Sequence, residues 1–355
     1  MEQTSQIRIQ WIDTAKLLGI YLVILGHISL TNQLVTNIIY SFHMPLFFFL
    51  SGLTVRKETT LYTFKKSINA LIVPYVCFYI FYFVKALFRD PEWLISEGWI
   101  KPLIGMLIGV GFNTDISFMV HVPLWFLIGL FCCKVLYSFV NNISGKYEKS
   151  IQIVLCIFFV LVAYLLKTNQ SYLPFSIGSV FLVYPFFLLG NFLSSQLINI
   201  LKYPKQLYVL VTLIIVTASV IIFTLINGRV DVANISFGSN ILLFYVTGFS
   251  GIVFILIISS FIKLPNILNF FAKNTLIILA LHSITTRLIE IALTKFGFAE
   301  IDTNKTIIIS SVTLAIVVAI GSLLLNYIPI YIINKYFPWI IGKKNKNKTV
   351  PSNTN

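Results

Sequence analysis

Asp13, Lys16, His27 and His43 are ionisable side chains set inside two adjoining apolar segments, DTAKLLGIYLVILGH and NIIYSFHMPLFFFLSG. A charged group at the centre of a bilayer costs about 3 kcal/mol or more, so such groups mark ion paths, proton relays or reaction sites. Imidazole changes charge nearest neutral pH and is the natural proton acceptor of the set. Lys16 and His27 are eleven residues apart. At 100° and 1.5 Å per residue they return to nearly one face of a helix, separated by roughly 16 Å along its axis. Asp13 lies one turn before Lys16 on the same stripe. The spacing predicts a helix with acid and amine near one end and imidazole toward the other. His43 enters from the far side of the same short turn, which brings two imidazoles to similar depth. Pro45 removes a backbone donor beside His43, which predicts a kink that frees the Ser41 carbonyl. Gly52 permits a turn or a close approach of backbones. A plainer reading stands beside this one. A buried His can simply bond a neighbouring helix, and Asp13 with Lys16 can be an interfacial ion pair that anchors its helix.

Further candidates lie downstream. His282 falls mid-segment in NTLIILALHSITTRLIE, followed by Arg287 and Glu290, again an ionisable line. An inter-helix bond or a site would each explain it. His121 and Trp125 open the stretch HVPLWFLIGLF, where interfacial His and Trp are common. Trp125, His282 and Arg287 are the candidate substrate contacts. The four cysteines, Cys77, Cys132, Cys133 and Cys156, lie in apolar runs without metal-ligand spacing. They read as small buried hydrophobes, and no metal is expected.

These residues need a bundle of helices to position them, and the composition supplies one. The chain has 355 residues, 57% hydrophobic and 11% charged, with a mean hydropathy of +0.89. A water-soluble domain carries about 25% charged residues. Apolar runs long enough to span a bilayer recur along the chain, which predicts an all-α polytopic membrane protein. About ten spans are expected, near 11–30, 37–54, 68–88, 118–140, 151–167, 177–198, 207–227, 239–262, 273–294 and 306–334. The run 100–112 is too short to cross and is expected to lie in the interface or re-enter. The short polar start lacks the order of a cleaved signal, so the first apolar run is expected to remain as a helix.

Loops alternate in charge. One set carries Arg56, Lys57, Lys65 and Lys66, then Lys146 and Lys149, Lys202 and Lys205, Lys263 and Lys273, and the KKNKNK tail. The other set is neutral or mixed, which places both termini in the cytoplasm. The net charge of +14 follows from this topology and does not call for nucleic acid. Residues 1–340 form one membrane domain, and 341–355 form a basic cytoplasmic tail expected to be disordered.

The pattern resembles the membrane-bound acyltransferase 3 family. Lys16 stands ten intervening residues before His27 in Gly26-His27, and FHMPLFFFLSG follows. The likeness continues through INALIVPY, PLWFLIGLF, YPFFLLGNF and KNTLIILALH, in the family's order and over nearly the whole chain. The resemblance is closest to the bacterial sugar O-acetyltransferase, fucose 4-O-acetylase-like, branch. It implies an O-acyltransferase of the bacterial cytoplasmic membrane. The acyl donor would be cytoplasmic acetyl-CoA, and the acceptor a hydroxyl of a surface or lipid-linked glycan. It implies that Lys16 and His27 act in acyl transfer, with His43 as the second imidazole. Asp13 is expected to set the position or charge of Lys16. Lys16, Arg56, Lys57, Lys65 and Lys66 would hold the phosphates of the donor. Family members often carry Arg-x-x-Arg after the second span, and this loop departs from it. A glycan-precursor transporter or flippase is the alternative, since intramembrane charges suit it equally. A glycan polymerase is a further alternative.

Overall fold

The computed structural model describes residues 9–30, 32–89, 104–106, 122–171, 173–201, 206–301 and 307–343. Its framework is helical. α1 (Gln10–Gly26) is followed by α2 (Gln33–Thr54), α3 (Thr60–Ser67) and α4 (Val73–Arg89). Then come α5 (Trp125–Ser144), α6 (Glu148–Thr168), α7 (Ile177–Phe192), α8 (Ser194–Ile200), α9 (Gln206–Asn227) and α10 (Ile241–Phe261). After α11 (Asn266–Ala272) and α12 (Thr275–Lys295) the chain forms a small antiparallel hairpin, β1 (Glu300–Ile301) and β2 (Ile307–Ile308). It ends in α13 (Val312–Leu325) and α14 (Tyr327–Tyr336). His121 and most of 100–112 lie outside the described residues, as does the tail beyond 343.

Among the described residues, seven helices are long and apolar enough to cross a membrane, or eight if the pair α7 and α8, bent by 59°, is one span. The outer helices expose large apolar side chains: Val154, Phe158 and Leu161 on α6, and Ile214, Ile215, Leu225 and Ile226 on α9. Water would not tolerate such a surface, whereas lipid solvates it. One apolar run of 44 residues, Trp125–Thr168, is divided at Gly145 into α5 and α6. Gln152 of α6 donates to the Tyr137 carbonyl and the Asn141 side chain of α5, so the two helices pack as a hairpin.

The helix that carries Asp13 and Lys16 is packed on several sides. α1 packs on α2, α10, α11, α12 and α13. Asp13 is 5% exposed there. Protein neighbours therefore replace lipid around the polar stripe, as its cost in hydrocarbon requires. α1 is shorter than the expected span 11–30. It stops at Gly26, and the next residues leave the helix to meet the hairpin, where Ile309 N–H donates to the Ser29 carbonyl at 2.9 Å.

α2 runs unbroken through Pro45. It crosses α7 at backbone contact: a Cβ on Gly52 would overlap the Phe187 carbonyl, and one on Gly190 would overlap the Phe49 carbonyl. Small residues at such crossings let membrane helices approach closely where no hydrophobic drive exists. The next unit bends. Ile68–Ile72 is a π-turn between α3 and α4, in which Val73 N–H reaches back five residues to the Ile68 carbonyl. Pro74 explains it, because Pro has no N–H to offer the Ala70 carbonyl.

Candidate active site

The site has two parts joined along α1. The first is a cluster of imidazoles. His27 caps the C-terminus of α1, and its ring nitrogen Nδ1 meets the Val23 carbonyl at 2.7 Å. His43, in the middle of α2, meets the Ile39 carbonyl at 2.8 Å. His282 of α12 meets the Leu279 carbonyl at 2.8 Å. A carbonyl only accepts, so each contact places a proton on Nδ1 and leaves Nε2 as the basic nitrogen of a neutral ring. The rings of His27 and His282 lie edge to face with centroids 5.0 Å apart. Tyr40 contacts both His27, at 6.0 Å, and His43, at 5.0 Å. His43 and His282 are buried, whereas His27 is exposed. Of the described imidazoles, only His27 can meet a molecule arriving from outside the bundle.

Neighbouring elements fix these rings. Thr285, Thr286, Ser322 and Asn326 form a buried hydrogen-bonded seam between α12 and α13, and Thr285 Oγ1 also donates to the His282 carbonyl. The Tyr82 hydroxyl donates to the Ala280 carbonyl, tying α4 to the same turn. Beyond His27 lies the loop 228–240. Its Arg229 guanidinium stands over the Tyr40 ring at 5.7 Å. Asp231 of the same loop is held by Asn234 Nδ2 at 2.9 Å.

The second part is a cavity of about 630 Å³ at the other end of α1. Among the described residues its wall carries Lys16, Arg56, Lys66 and Lys134 against Asp13 and Glu58. Lys66 pairs with Glu58 at 2.7 Å. The π-turn gives the wall Ala70 and Leu71. Lys16 and Leu71 also line a narrower pocket of about 150 Å³, whose other walls are mainly apolar. Ile20 of α1, Met44 and Phe47 of α2, Phe126 of α5 and Leu279 of α12 form its deep part. Met44 adjoins His43, and Leu279 is the residue whose carbonyl holds His282. A cation-lined cavity thus shares Lys16 and Leu71 with a narrow, mainly apolar pocket, whose walls take Met44 and Leu279 from the turns that carry His43 and His282.

The family model described as an acyltransferase domain, of the acyltransferase 3 family, matches residues 9–331. The chain belongs to that family. No curated protein and no solved structure matches the chain. The acyltransferase carries Lys16 in α1 and His27 at the C-cap of the same helix. The sequence also brought His43 toward His27, and Tyr40 is the side chain that links them. His282 joins the cluster directly.

Other candidates lie apart. Lys57 pairs with Glu148, and neither it nor Lys65 lines the cavity. Trp125 is buried and stacks on Phe48, with its neighbour Phe126 lining the pocket instead. Arg287 is exposed and pairs with Glu290 at 3.8 Å. Five residues past His282, it points about 140° away around α12. The sequence reading missed Lys134, Tyr40, Arg229 and Asp231. Lys134 was there to be found, as a lone cation inside FLIGLFCCKVLY.

Proposed function

We propose that this acyltransferase moves an acetyl group from cytoplasmic acetyl-CoA to a hydroxyl of a cell-surface or lipid-linked glycan, from within the bacterial inner membrane. The observation that carries the reading is Lys16, which lines both the cationic cavity and the narrow pocket leading toward the imidazoles. Coenzyme A is a polyanion with a long thin arm ending in the thioester. Lys16, Arg56, Lys66 and Lys134 suit its phosphates, and the apolar pocket suits the end of the arm.

In this reading His27 Nε2 takes the proton of the acceptor hydroxyl as that oxygen attacks the thioester carbon. The C–S bond breaks as the new C–O bond settles, and His27 returns the proton to the departing thiolate. Asp231 stabilises the imidazolium formed in between. His43 acts as a positioning residue through Tyr40. Its Nδ1–H is committed to the Ile39 carbonyl, so a neutral His43 has no N–H left to offer an oxyanion. The acceptor approaches on the side of Arg229 and Asp231, where His27 is exposed.

The reading needs the cavity in the cytoplasm and His27 toward the outer face. Ten crossings satisfy it: α1, α2, α3 with α4, α5, α6, α7 with α8, α9, α10, α12, and α13 with α14. Both termini are then cytoplasmic, and the basic loops follow the positive-inside pattern. The test is mass spectrometry of surface glycan from cells carrying the wild-type gene, no gene, or His27→Ala. The acetyl mass increment is expected with the wild type alone. Full acetylation by a membrane-inserted His27→Ala protein refutes the role of His27.

A further inference from the structure

We infer that the narrow pocket gauges the acyl group, with Met44, Phe47 and Phe126 restricting the donor to a two-carbon chain. This rests on the acyl-CoA reading above and adds to it the residues that set acyl specificity. The pocket has a volume of about 150 Å³. An apolar cavity of about this size holds one benzene, or about six heavy atoms. The end of an acetyl-CoA arm, from its last two methylenes through sulfur to the acetyl methyl, has the same count, about six. Little room remains for a longer chain.

The stop is built from braced side chains. Phe47 lies on the α1 backbone, with its Cζ 3.0 Å from where a Cβ on Gly19 would stand. Its ring meets Phe126 at 5.8 Å, and Phe126 meets Phe48 at 5.1 Å. Met44, next to His43 in the chain, lines the same end and is 7% exposed. It is the unbranched, flexible member of the wall, so its truncation opens space without removing a brace. Charge is gauged as well as length. The cation of this pocket, Lys16, lies at the end shared with the cavity, and the deep end offers Met44, Phe47, Phe126 and Leu279. A terminal carboxylate such as that of a succinyl group would meet no partner there, and burying it unpaired is costly.

The experiment is competition binding on the full chain in lipid nanodiscs, with labelled acetyl-CoA displaced by acetyl-, butyryl-, octanoyl- and succinyl-CoA. Acetyl-CoA is expected to compete at least tenfold better than the others. This agrees with discrimination of roughly 10- to 200-fold per methylene in a close-fitting pocket. Met44→Ala is expected to raise the affinity for butyryl-CoA relative to acetyl-CoA at least tenfold, and Phe47→Ala to act likewise. Equal competition by octanoyl-CoA in the wild type overturns the gauge, whether or not either variant folds. So does a folded Met44→Ala protein with wild-type ranking. If no acyl-CoA and no free coenzyme A binds, the donor reading fails first and the gauge fails with it.

Discussion

His27, His43 and His282 each use Nδ1 on a carbonyl of their own helix, so all three turn Nε2 outward as a base. Exposure then separates them: His27 is exposed, whereas His43 and His282 are buried. Replacement by Gln keeps a polar side chain of similar reach but removes the proton acceptor. His27→Gln is expected to lower transfer by roughly 10²- to 10⁴-fold, the usual contribution of a general base, with the protein still inserted. Acetyl-CoA turnover by the purified variant checks this. Lys134 and Lys57 give a paired test at the cationic end. Lys134 lines the cavity, and Lys57 is exposed and paired with Glu148. Lys134→Ala is expected to weaken acetyl-CoA binding by roughly tenfold, the scale of one charge-assisted hydrogen bond. Lys57→Ala is expected to change it little, because exposed pairs contribute little. Titration of donor binding in the two variants reads the difference. The placement of Lys16 and His27 along one helix was legible because their spacing sets their phase. Arg229 and Asp231 were not, because a loop has no period to align it with a helix two hundred residues earlier.

Helix packing holds these side chains in register. α2 carries His43 and Met44, and its height against α7 is set where Gly52 and Gly190 let the backbones touch. Gly52→Val forces branched carbons against the Phe187 carbonyl. A loss of about 1–3 kcal/mol is expected from such overpacking, seen as a lower melting temperature in detergent. The seam between α12 and α13 has a different effect. Asn326→Leu removes the donor to Thr285 and loosens the turn that holds His282. Turnover is expected to fall more than acetyl-CoA affinity, because the cationic cavity lies on other helices. The sequence showed that α1 was polar on one face but not which helices would cover it. That choice is made in three dimensions, by α10, α12 and α13 closing around α1. The early end of α1 was also hidden, since the residues 28–30 are as apolar as those before them and leave the helix for a contact with Ile309.

For the whole molecule, the expected membrane class holds: large apolar side chains are exposed on the outside, and the buried Asp13, His43 and His282 lie on α1 and on two helices packed against it. The span count was less legible. Hydropathy merges α5 and α6 into one run, and α1 falls short at 17 residues. Single cysteines at Lys146 and Glu300 test the proposed topology. Lys146→Cys is expected to react with an impermeant thiol reagent from the cytoplasmic side and Glu300→Cys from the other, and labelling from one side alone contradicts ten crossings. The central claim is that a donor held at the Lys16 end is attacked at the His27 end of the same helix. Its most direct test measures acetyl-CoA affinity and turnover together in purified wild-type, Lys16→Ala and His27→Ala proteins. The account predicts weakened binding in Lys16→Ala, and near-wild-type binding with turnover abolished in His27→Ala. Wild-type turnover in His27→Ala, or wild-type affinity in Lys16→Ala, would contradict it.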